Sequence, residues 1–360
     1  MLSPSFTAGK LKSMMLPITK IADNVIEVIE EKSKITPEMD LKPIICGFTL
    51  DVISNVAFGL STNVHKGEDK EFSKMANDVF QIFESKTWGG MLFQNFFTHF
   101  PDVLEKFGFV IESAGKLRQM THDLIEHRNE NNTPIKGDFI DRLREFKKDA
   151  KHPVTDEMID AQGIIFLTAG FETTANTIGS FFYALATLPE IQENIYQEIL
   201  ANIGNDEITH ENVASLSYLE ASINETLRMY PPVNEHVRTC VKDTIVNGIK
   251  VKKGFLIKMP TYAAHYDSDF FPEPTIFKPE RFLKNNADQV IPYTWRPFGC
   301  GNRVCIGQRF AILEIKLFMA KFLSKFKLKA TSNTKRDKPL GTGSFFIITY
   351  PEIVVKVEKR

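Results

Sequence analysis

The chain has 360 residues, 43% hydrophobic and 25% charged, with 44 Lys and Arg against 45 Asp and Glu for a net charge of −1. That balance excludes a disordered chain, and a dedicated nucleic-acid binder would be far more basic, so no nucleic-acid partner is expected. The 30 phenylalanines ask for a large apolar interior or an apolar ligand, and the 4 cysteines (Cys46, Cys240, Cys300, Cys305) are too few for a disulfide framework and suit a reducing compartment.

Met1 to Lys10 lacks the basic-then-apolar layout of a signal peptide. From Leu11, apolar residues recur at Met14, Ile18, Ile21, Val25 and Ile29, one face of an amphipathic helix that needs a packing partner. A helix this early points to structure before it. Phe80 to Phe109 is dense in aromatics; packed core, a lid over an apolar cavity and a surface that dips into lipid are the open readings. Residues 128–154 are polar and read as an exposed loop with a short helix.

Thr155 is an N-cap for a helix that runs to Leu188 and stops at Pro189. Its length, roughly 50 Å, permits a membrane span. Gln162, Glu172, Thr173, Thr174, Asn176, Thr177 and Ser180 make it too polar for one, and a helix buried through a large domain fits better. A further helix covers Ser217 to Tyr230 and ends at Pro231-Pro232. Ile245 to Val251 reads as a hairpin around Asn247-Gly248, Phe255 to Met259 as a strand, and 266–300 as an ordered meander. The last helix runs from Gly307 to about Phe326, and Phe345–Tyr350 with Ile353–Val357 read as a hairpin. The fold class is mainly α with small β-sheets, in a single domain over 1–360.

Four segments carry chemistry. In Pro297-Phe298-Gly299-Cys300-Gly301-Asn302-Arg303-Val304-Cys305-Ile306-Gly307 the glycines allow a tight path. Cys305 precedes a helix N-terminus, where the dipole and free N–H groups lower a thiol pKa and favour a thiolate, a nucleophile or soft metal ligand. Without a His pair, neither zinc nor an iron–sulfur cluster is expected at Cys300 and Cys305. Taken singly, a buried cysteine in a glycine turn is the plain reading. Glu225 and Arg228, at i and i+3, share a helix face, which alone is a surface ion pair of little worth. Phe277-Lys278-Pro279-Glu280-Arg281-Phe282 alone is a loop. In Ala169-Gly170-Phe171-Glu172-Thr173-Thr174, the glycine permits close approach or a kink, and a lone carboxylate in an apolar helix is costly enough to suggest proton handling.

Together, in this order and spacing, the four segments resemble the cytochrome P450 haem-thiolate monooxygenases, and the chain looks most like the microsomal clan of steroid- and drug-oxidising P450s and thromboxane synthase. The resemblance implies heme b with Cys305 as the axial ligand of iron, a thiolate that favours O–O cleavage. It implies a structural triad of Glu225, Arg228 and Arg281, and propionate contacts from Arg238 and Arg303. Phe298, Gly301 and Gly307 would frame the haem from the cysteine loop, and Ala169 and Gly170 would lie over its distal face. Thr173 and its acidic neighbour Glu172 would deliver protons to bound dioxygen. Phe166, Val233, Asn234 and Phe345 would touch an apolar small-molecule substrate.

The family carries more chain before this point, including a membrane anchor and a helix that holds a propionate; this sequence opens just after that helix would end, so the resemblance implies a P450 fold lacking its N-terminal part. The implied partners are O2, NADPH–cytochrome P450 reductase and a membrane surface, and the implied location is the cytoplasmic face of the endoplasmic reticulum membrane. Ten basic residues between Arg303 and Lys338 face Glu314 and Asp337 only, a surface suited to an acidic electron donor. Two alternatives to the monooxygenase are a truncated product that cannot hold haem and a peroxide isomerase that needs no reductase. Haem uptake tests the first, and turnover of a lipid hydroperoxide without NADPH tests the second.

Overall fold

The computed structural model describes residues 3–81, 112–131, 138–147, 154–334 and 352–360. Its helices are α1 (Ala8–Ile35), α2 (Lys42–Phe58), α3 (Lys70–Gln81), α4 (Glu112–Glu130), α5 (Phe139–Lys147), α6 (Asp156–Thr187), α7 (Pro189–Asn202), α8 (His210–Ser215), α9 (Ser217–Met229), α10 (Thr261–His265) and α11 (Gln308–Lys325). The strands are β1 (Glu38–Asp40), β2 (Glu235–Thr239), β3 (Thr244–Val246), β4 (Ile249–Val251), β5 (Leu256–Pro260), β6 (Phe326–Lys329) and β7 (Val354–Lys359). The fold is mainly helical with small antiparallel sheets.

Helix α6 is the axis of the core. Thr155 caps it by accepting from the Met158 N–H at 3.3 Å, and Pro189, which has no N–H to give, opens α7 instead of continuing it. From Phe171 to Leu185 every residue except Thr173 and Tyr183 is buried. Its hydroxyls survive burial because they donate back along the helix: Thr177 to the Thr173 carbonyl at 2.9 Å and Ser180 to that of Asn176 at 2.7 Å. No helix among the described residues is long and apolar enough to cross a membrane.

Helix α2 packs along α6, and α1 packs on α2 and α11. The buried stripe of α1 is Leu11, Met15, Ile18, Ala22, Val25, Ile26 and Ile29, so Met14 and Ile21 sit at its margin rather than on it. The partner that this early helix needs comes from the far end of the chain, in α11, whose Phe318 and Phe322 are fully buried with Phe182 of α6. Strand β7 lies between β1 and β6, with Met39 opposite Val355 and Val357 opposite Leu328. The expected C-terminal hairpin is thus not the pairing shown for β7; its first arm, Phe345–Tyr350, lies outside the described residues.

The hairpin β3–β4 turns at Asn247 and Gly248, both with positive φ (48° and 81°), as its sequence predicts. Strand β5 pairs with β2, which polar residues hid from pattern reading. This ladder places Arg238 opposite Ile257 and delivers the chain into α10.

Candidate active site

The cysteine loop is built by its own backbone. Gly299 and Gly301 adopt φ of +75° and +68°, and nothing lies within 4 Å of a Cβ at Gly301, so the turn itself demands glycine there. The Cys305 N–H donates to the Phe298 carbonyl at 2.8 Å, and Gly307 begins α11 directly behind. Phe298 packs edge-on to Trp295, at 6.4 Å between centroids. Cys305 is exposed, flanked by open apolar surface on Val304 and Ile306, which are 45% and 43% exposed. The crowding of the loop around the sulfur nevertheless desolvates the thiol and raises it above its ordinary value. The N–H groups of Gly307 and Gln308 pull the other way and lose. The thiolate-favouring helix terminus expected from sequence is therefore present but outweighed in the free chain.

Glu225 and Arg228 do not form a surface pair. Both are fully buried, with Arg228 Nε 2.7 Å and Nη2 2.9 Å from the two carboxylate oxygens. Arg228 also donates to the carbonyls of His265 and Pro274. Arg281 approaches Glu225 at 3.5 Å and donates to the Glu273 carbonyl at 2.8 Å. The three residues implied as a triad are together, and they tie α9 to the meander.

On α6 the predicted residues divide. Thr173 is half-buried and donates to the carbonyl of Ala169, which is exposed, at 2.7 Å. Ile165 and Met158, 48% and 47% exposed, are also open, and sequence reading missed Ile165 because one isoleucine in an apolar run carries no signal. Glu172 is not a lone carboxylate. It is 5% exposed, paired to Lys42 of α2 at 3.2 Å, and accepts from Cys46 Sγ at 3.6 Å. Burial and the Glu172 charge together push the Cys46 thiol well above its ordinary value. Gly170 makes room for α2: a Cβ there would lie 2.8 Å from Ile53 Cγ1. Phe166 stacks on Phe139 of α5 at 3.9 Å and meets Phe6 at 5.8 Å, so its ring is committed to protein packing.

The family model for Cytochrome P450 matches residues 1–357 of this chain. The chain belongs to the cytochrome P450 family. It is 32% identical over 367 residues to cytochrome P450 3A6 of Oryctolagus cuniculus, covering all of this chain and 73% of that protein. Against cytochrome P450 3A41 and 3A16 of Mus musculus it is 32% and 33% identical over 368 residues, with the same shares covered. The mainly helical fold agrees with this membership, which makes the chain a haem monooxygenase, an oxidoreductase whose family uses iron-containing haem, O2 and a redox partner reductase.

The residues of this P450 suit such a group. A soft sulfur donor faces outward among apolar side chains, and two guanidinium forks stand free of carboxylates among the described residues. Arg303 is exposed, and Arg238 bonds only the Val237 carbonyl, at 2.8 Å. That set matches an apolar macrocycle with a soft-ligated metal and carboxylate arms. Val233 and Asn234 are partly buried between α9 and β2, while Phe345 and the 82–109 aromatic stretch lie outside the described residues.

Part of the basic run toward Lys338 is already paired within the chain. Lys316 pairs with Glu220, Lys321 with Asp23, Lys325 with Glu30 and Lys329 with Glu358. Acids from distant parts of the chain pair with these four lysines, while Arg303, Arg309 and Lys327 have no ion pair among the described residues, and Lys335, Arg336 and Lys338 lie outside them.

Proposed function

We propose that this P450 inserts one atom of O2 into an apolar small molecule, using electrons that NADPH supplies through a reductase, with haem held by Cys305 as thiolate. The observation that carries the reading is the exposed Cys305 at the mouth of a glycine loop that is fixed to the buried Glu225–Arg228–Arg281 centre. Bound haem iron supplies dioxygen binding and its reductive activation. The chain supplies the rest. Cys305 would hold the iron as a thiolate, its proton passing to solvent, a form that the Gly307 and Gln308 N–H groups favour. Arg238 and Arg303 would hold the propionates. Thr173 holds its hydroxyl proton on the Ala169 carbonyl and would turn it toward the open face that Ala169 and Ile165 line. Glu172 serves this path only on leaving Lys42, so it is a reserve acid held behind α6. Apart from the acids of its first turn, the exposed positions of α6 are Met158, Ala161, Ile165 and Ala169, all apolar, which supports an apolar substrate. The single-domain reading over 1–360, a membrane surface and the cytoplasmic face of the endoplasmic reticulum belong to the same proposal.

Two measurements test it. The reduced carbon-monoxide spectrum of the haem-loaded chain is expected to show the red-shifted thiolate band, and Cys305→Ser to abolish it. With a reductase and an apolar substrate, Thr173→Ala is expected to raise NADPH consumed per product several-fold; unchanged coupling removes Thr173 from proton delivery.

A further inference from the structure

We infer that His265 and His236 are positioning residues for the cysteine loop: their two rings hold the peptide groups on either side of Arg296 and so fix the path that presents Cys305. The inference rests on the reading of Cys305 as the haem ligand.

The argument starts at the end of α9. The helix stops at Met229, so its last carbonyls have no helical donors. His265 Nδ1 lies 2.9 Å from the Arg228 carbonyl, and the neighbouring Tyr266 hydroxyl donates to that of Met229 at 3.0 Å. On its other side, His265 Nε2 lies 3.1 Å from the Arg296 backbone N–H. That N–H is a donor only, so Nε2 accepts and Nδ1 carries the proton. A single neutral imidazole, 0% exposed and edge-on to Phe271, therefore joins the Glu225–Arg228 centre to the start of the loop.

The second ring acts one peptide later. His236 Nε2 lies 3.0 Å from the Arg296 carbonyl, which also accepts from Gly299 N–H at 3.0 Å. Nε2 of His236 is thus the donor. Its Cε1 is 3.6 Å from a Cβ built at Gly299, the first positive-φ glycine of the turn. The next backbone tie is Cys305 N–H to Phe298 O. The two histidines are set relative to each other by the β2–β5 ladder, since His236 lies in β2 and α10, which ends at His265, follows β5 without a break. An apolar side chain at 265 would leave the Arg228 carbonyl and the Arg296 N–H in the interior without partners, and the loop would shift to find them.

The test uses the full chain loaded with haem. His265→Ala is expected to speed amide exchange over residues 296–308 about tenfold, as loss of an ordinary hydrogen bond does, while α1 and α6 keep wild-type rates. The reduced carbon-monoxide complex is expected to move toward the blue-shifted form. His265→Gln, with an acceptor and a donor on one side chain, restores both readouts. His236→Ala, at a half-buried site, gives the same pattern in smaller measure and decides the matter if His265→Ala fails to fold. A uniform rise in exchange with an unchanged spectrum makes His265 an ordinary core residue and overturns the inference, as does wild-type loop exchange in the folded variants. If the wild-type chain shows no thiolate band, the haem-thiolate reading fails instead, and the exchange pattern alone decides whether the rings position the loop.

Discussion

Glu172 and Glu314 are both buried carboxylates on long helices, and their surroundings give them opposite chemistry. Glu172 has Lys42, whose side chain is 19% exposed against 6% for the glutamate. Removing one partner of such a pair strands the other charge, so Lys42→Met is expected to cost about 3 kcal/mol in urea unfolding, and Lys42→Met/Glu172→Gln to recover most of it. Glu314 is 0% exposed, with neither oxygen bonded to a described residue, and burial pushes its carboxyl well above the ordinary 4.5. The unfolded chain releases this proton near its ordinary value while the folded chain keeps it, so stability falls as pH rises above about 4.5. Glu314→Gln is expected to stabilise the protein more at pH 8 than at pH 5, measured by thermal melts across that range. The sequence marked Glu172 as unusual because no other charge stands near it on its own helix. Its cation stands 130 positions earlier, on α2, and no local pattern reports that.

At the scale of elements, α9 and α10 meet through His265. Burial lowers this imidazole from 6.5 to about 3, and the charges of Arg228, Arg296 and His236 add to the effect. Below pH about 6.5 the unfolded chain takes up a proton that the folded chain refuses until about 3, so the stability present above 6.5 is lost progressively as pH falls. A His265→Gln variant is expected to lose less stability than the wild type between pH 7.5 and 5, read from urea unfolding at each pH. The elements themselves were largely legible: α6, α9, α11 and the β3–β4 hairpin follow their caps, prolines and Asn-Gly turn. Strands β1, β2 and β6 were not, because short strands with charged residues such as Glu38-Met39-Asp40 and Glu235-His236-Val237-Arg238-Thr239 owe their conformation to a partner strand rather than to their own pattern.

Across the whole molecule, strand β7 joins the two ends of the chain. It pairs with β1, which connects α1 to α2, and with β6, which continues α11. Val355 is 0% exposed and faces Met39 in the register. Burying an unpaired carboxylate there costs several kcal/mol, about enough to consume the margin of an ordinary domain. Val355→Asp is therefore expected to abolish cooperative unfolding in circular dichroism and to leave the chain largely insoluble; a cooperative melt within a few degrees of wild type would show that the sheet does not join the ends.

By itself the sequence determined the helical class, the glycine path before Cys305, the Glu225–Arg228 spacing and the family they resemble. These are local properties, set by dihedral preference, capping and the spacing of side chains along one element. Only the tertiary structure decided which charges are free. It paired Glu172 with Lys42, neutralised Lys316, Lys321, Lys325 and Lys329, turned Phe166 onto Phe139, and placed two histidines on Arg296. Each of these contacts joins residues far apart in the chain. An ion pair or a ring stack depends on distances of a few ångströms between side chains, and those distances exist only once the packing of helices and the strand register have fixed them.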